Sequence, residues 1–166
     1  MALAVRGALV VMLVALSVIS GCGASGSSGE SAAPPERDPA EVKAWDHLSS
    51  ILMDLSLLND RFDRELELAG DIGVNLSVSS MVPYAEYEKL SERLRVWRKA
   101  SSATYPAFWD ELASQALDMS DSLVNYAQQG EDYFLAGAED AQKRLNATLD
   151  EHCEKPEDSL FVEYCK

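Results

Sequence analysis

Two histidines, His47 and His152, and three cysteines, Cys22, Cys153 and Cys165, are the residues with the widest chemical range in this chain. The run Asp150-Glu151-His152-Cys153 has the residue types of a metal corner. Consecutive helical residues point in different directions, however, so these four cannot converge on one ion unaided. The expectation is therefore no specific metal site and no cofactor. For catalysis there is no Gly-x-Ser-x-Gly, no His-Glu-x-x-His and no glycine-rich phosphate loop, and the chain reads as non-enzymatic. Acid pairs assembled in space remain open. Trp45, Tyr84, Tyr87, Trp97, Phe108, Trp109 and Tyr133 could line a ligand pocket, but aromatics at helical spacing more commonly fill a core. Asp60, Asp63 and Glu67, interleaved with Arg61 and Arg64, read as a solvated, partly ion-paired helix face.

Cys22 has a different setting. Arg6 is the one charge before residues 8–19, a short and almost unbroken apolar run, and Val18-Ile19-Ser20-Gly21-Cys22 closes it. A basic start, a short apolar core and small residues before a cut describe a secretory leader. The run falls short of the roughly 20 residues that span a bilayer. The junction resembles the lipobox of bacterial lipoproteins: an aliphatic residue, two small residues and the acceptor cysteine. That resemblance implies removal of residues 1–21, acylation of Cys22 (palmitate among the chains) and anchoring in the cell membrane on its extracytoplasmic face. Ile19 stands where leucine is commonest, and the alternative is an ordinary secretory cut that leaves Cys22 a free thiol. An exported domain meets oxidising conditions. With Cys22 acylated, Cys153 and Cys165 make an even pair and are expected to form a disulfide, redox or metal work being the other options.

Residues 22–37 contain no large apolar side chain and carry Pro34-Pro35, the composition of a tether. The formal net charge is −14, more negative by one once Arg6 leaves with the leader. Such a field disfavours nucleic acid and anionic headgroups, and suits solubility or cationic partners.

The remainder, 38–166, has the size of one domain. Asp38-Pro39-Ala40-Glu41 is a helix-start signature, and Trp45, Leu48, Ile51, Leu52, Leu55, Leu58, Phe62 and Leu66 recur at three- and four-residue steps, with Gly70 as a left-handed stop. In residues 71–82, Ile72, Val74, Leu76 and Val78 alternate with small or polar residues, a period of two that reads as extended chain. It is expected either to lie over the bundle or to dock a partner by strand addition. A second helix starts near Pro83 with Tyr84, Tyr87, Leu90, Leu94 and Trp97 inward. Pro106 opens a third, carrying Phe108, Leu112, Ala116, Met119 and Leu123, and Gly130 ends it. A fourth follows at once with Phe134, Ala138, Ala141, Leu145 and Leu149, and Pro156 stops it.

These stripes predict an all-α, small four-helix bundle with an extended connection between its first two helices and a disulfide-stapled C-terminal tail. The functional expectation is a lipid-anchored protein acting through contacts with an envelope protein. The alternative is a solute- or metal-binding lipoprotein with its site inside the bundle, its ligand unspecified.

Overall fold

The computed structural model describes residues 38–71, 77–101, 105–154 and 165. It is an all-α bundle of four long helices and one short one: α1 Pro39–Asp71, α2 Val78–Met81, α3 Tyr84–Ala100, α4 Ala107–Gln129 and α5 Asp132–Glu154. At the start of α1 the Asp38 carboxylate accepts the Ala40 N–H at 2.8 Å, satisfying a donor that the helix cannot pair internally. Seven of the eight residues of the α1 stripe are buried, and Leu66 packs half-buried at the end of the row.

α4 is the central element, touching α1, α2, α3 and α5, whereas α5 packs on α4 alone among the described residues. Gly130 makes the α4–α5 hairpin tight. Its φ of 71° is open to glycine at little strain, and its N–H caps the helix on the Tyr126 carbonyl at 2.8 Å. The two helices approach closely through small residues. Ala138 and Ala141 are buried in the interface, and a Cβ placed on Gly137 would meet Ser122 Oγ at 3.3 Å. Among the described residues four ion pairs join neighbouring helices at the surface: Arg93 to Asp54 at 2.5 Å, Arg95 to Asp121 at 2.7 Å, Arg98 to Asp110 at 3.0 Å and Arg144 to Asp118 at 3.6 Å.

Two local expectations are corrected. Gly70 does not stop α1, which continues in ordinary helical geometry to Asp71; glycine permits a left-handed cap but does not impose one. Val78 does not belong to a strand. It begins α2, and with Met81, three residues on, packs half-buried against the core. One helical turn shows i, i+3 contacts that so short an alternation cannot reveal. Ile72, Val74 and Leu76 lie outside the described residues, as do Cys22 and the proposed leader and tether, 1–37. Among the described residues no helix is long and apolar enough to cross a membrane.

Candidate functional site

The end of the bundle where α1 begins collects all three tryptophans, together with Tyr105 and Phe108. Trp45 on α1 lies against Trp109 on α4, ring centroids 5.1 Å apart, and Tyr105 approaches Trp109 at 5.6 Å. The Trp97 indole N–H crosses from α3 to donate to the Ala44 carbonyl at 2.8 Å. Phe108 and His152 stack at 4.0 Å, tying the start of α4 to the last turn of α5. Trp45, Tyr87, Trp97 and Trp109 are buried, Tyr84 and Phe108 are half-buried, and Tyr133 is exposed. The rings at this end pack on one another and fill core.

Cys153 and Cys165 form a disulfide with Cα atoms 5.4 Å apart. Both pack against the core, so the bond fastens Cys165 beside the final turn of α5. Oxidised in this way, neither sulfur is a thiolate ligand or nucleophile. His47 is exposed on α1, far along the sequence and on a different helix from His152. Among the described residues, no three His, Cys, Asp or Glu side chains converge where a metal ion could be held.

Several buried polar side chains went unnoticed in the sequence. Tyr87 donates to Asn59 Oδ1 at 2.6 Å, and Asn59 Nδ2 donates to the Met119 sulfur at 3.7 Å, linking α3, α1 and α4. Burial pushes the Tyr87 phenol well above its ordinary pKa, with the nearby Asp63 charge adding to the shift. Asp63 is itself raised by desolvation and by Asp60. On the α4–α5 side, Gln115 Nε2 donates to Thr148 Oγ1 at 3.0 Å. Gln115 Oε1, Ser91 Oγ and the Trp109 indole N–H are buried without hydrogen-bond partners. Asn59 had one legible signal: it stands four residues after Leu55 and three before Phe62, on the apolar stripe itself.

The outer groove between α1 and α3 holds an open depression of 220 Å³. Leu58 and Leu90 form its apolar lining, and Asp54, Glu86, Lys89 and Arg93 stand around them. The interleaved acids and bases of α1 behave as a solvated face, with Arg61 paired to Glu65 at 2.8 Å one turn on. A search of family models, of curated proteins and of solved structures finds no match to this chain.

Proposed function

We propose that this chain is a lipid-anchored helical domain on the extracytoplasmic face of a bacterial membrane, held through acylated Cys22 and acting by protein contacts. The observation that carries the reading is Val18-Ile19-Ser20-Gly21-Cys22 at the end of a short apolar run, followed by residues 23–36 without a large apolar side chain. That order suits a leader, a cut, an anchor and a spacer. Each methylene of an acyl chain buried in lipid contributes about 0.8 kcal/mol, so several chains on one cysteine hold firmly. The Cys153–Cys165 disulfide fits an oxidising compartment. Contact function draws support from the exposed groove between α1 and α3. The test is Cys22→Ala in the full chain: the variant should accumulate as unprocessed precursor and lose the wild type's partition into a detergent phase. Unchanged processing and partitioning would reject the anchor.

A second reading, binding of a polar solute within the bundle, is favoured by the unpartnered Trp109 N–H and Gln115 Oε1, which cost free energy where they stand. A solute that binds only the folded state raises its melting temperature. A screen of small polar solutes that leaves the melting temperature unmoved would discard this reading.

A further inference from the structure

Cross-helix contacts fix the direction of every long helix. Trp45 meets Trp109 near the starts of α1 and α4, Trp97 reaches Ala44 from the end of α3, and His152 at the end of α5 stacks on Phe108. α1 therefore runs 33 residues, about 50 Å, away from the end where residue 38 enters the bundle. At its far end lie α2, the start of α3 and the α4–α5 hairpin, and a Cβ on Gly130 would meet Ser79 Oγ at 3.7 Å. Residues 66–71, 77–88 and 122–138, which form this far end, carry Glu67, Asp71, Glu86, Glu88, Glu131 and Asp132 and no Lys or Arg. The opposite end is mixed, with Lys43, Arg98 and Lys99 on the terminal turns of α1 and α3.

Folding accounts for only part of this charge. Glu86 and Asp132 stand in the first turns of α3 and α5, where a carboxylate suits the positive end of the helix dipole. Glu67 and Asp71 stand in the final two turns of α1, at its negative end, and its last turn holds no base. These carboxylates are all exposed, and among the described residues none is in an ion pair, whereas Asp54, Asp110, Asp118, Asp121 and Asp140 are. Two exposed large apolar side chains belong to the same end: Leu68 (62 %) and Tyr133 (63 %). The Tyr133 ring follows Glu131 and Asp132 directly and lies 4.1 Å from Phe134, which packs half-buried on the core. We propose that this end is the contact surface of the domain, and that its partner presents a lysine- and arginine-bearing segment. Carboxylates without a neighbouring base take up ammonium and guanidinium groups, and an arginine can stack on the open Tyr133 ring. Nucleic acid, anionic headgroups and a second acidic copy are repelled there. The inference deepens the contact reading and rests on it, and it does not need the anchor.

Fluorescence anisotropy of a short dye-labelled peptide alternating arginine and serine, titrated with the purified full chain in nonionic detergent, tests it. At about 0.1 M salt, where exposed charges act over about 10 Å, binding should be saturable, and it should weaken as salt rises further. Glu67→Lys with Asp71→Lys should weaken it roughly tenfold or more. Lysines at the end of α1 suit the helix dipole, so unfolding is not the cause. Asp150→Lys with Glu151→Lys makes the same charge change in the final two turns of α5, at the opposite end, and should shift affinity less than about twofold. Tyr133→Ala should cost about two- to fivefold. Equal weakening by the two charge reversals would mean diffuse attraction and overturn the inference. So would the absence of saturable binding, or a Tyr133→Ala variant that binds as wild type does. Such a failure would leave the α1–α3 groove as the contact surface, and a failed Cys22→Ala test would leave this result standing.

Discussion

The Tyr87 hydroxyl lies 2.6 Å from Asn59 Oδ1, and this bond joins α3 to α1 inside the core. Tyr87 is fully buried and Asn59 nearly so. Because Asn59 also donates to Met119, the pair ties three helices through polar groups that must be satisfied where they lie.

Removing both partners should therefore cost less than the two single removals added together. Tyr87→Phe leaves Asn59 Oδ1 buried without its donor, and should destabilise by about 1–3 kcal/mol in denaturant unfolding. Tyr87→Phe with Asn59→Leu should lose less than the sum of the single changes. Strict additivity would show that the bond is not coupled. The raised phenol adds a pH signature: its contribution is present below the unfolded value of about 10 and is lost as pH rises towards the folded value. Wild type should lose stability above about pH 10 more steeply than Tyr87→Phe, and parallel pH curves would contradict this.

Asp63 has the same sign in a lower window. Its carboxyl is raised by desolvation and by Asp60, so the folded state favours its neutral form. That contribution is present below the unfolded value of about 3.9 and is lost as pH climbs past the raised folded value. Asp63→Asn should raise the melting temperature slightly at pH 7 and leave it unchanged at pH 3. The side chain reaches solvent, which keeps the effect small. A gain of equal size at both pH values would mean that charge is not the cause.

The disulfide closes a segment of 12 residues, for which restriction of the unfolded chain contributes about 3 kcal/mol. Reduction should lower the melting temperature and expose Cys153 and Cys165 to alkylation while most of the circular dichroism signal persists. Two thiols alkylated without reductant would contradict the bond.

The glycines of the α4–α5 hairpin should respond differently. Gly130→Ala puts a Cβ at a φ of 71° and should destabilise by about 1 kcal/mol. Gly137→Ala made in a Ser122→Ala background should stabilise by up to about 1 kcal/mol relative to Ser122→Ala alone, since helix propensity favours it and the 3.3 Å neighbour is gone. Thermal melts of the four proteins decide both signs.

The long stripes were legible because periodicity records burial directly: Trp45 to Phe62 on α1 and Tyr87 to Trp97 on α3 point inward as their spacing requires. Gly130 was legible as a stop because Glu131 and Asp132 open a new helix directly after it, whereas Gly70 keeps helical geometry in a helix that runs to Asp71. α2 was not legible, since one turn carries too few residues to separate its period from that of a strand. Asn59 and Gln115 were missed because a buried amide and a solvent-facing one have the same letter. Only the partners, Tyr87 and Thr148, separate them. The exposed groove between α1 and α3 depends on how two helices meet, which neither stripe contains alone.

The anchoring claim is tested most directly by intact-mass and peptide mass spectrometry of the wild-type protein isolated from the bacterial envelope. The account predicts a chain beginning at Cys22, with that cysteine carrying acyl groups. A mature chain that starts at or near Cys22 with an unmodified thiol would contradict it, as would a chain that retains residues 1–21.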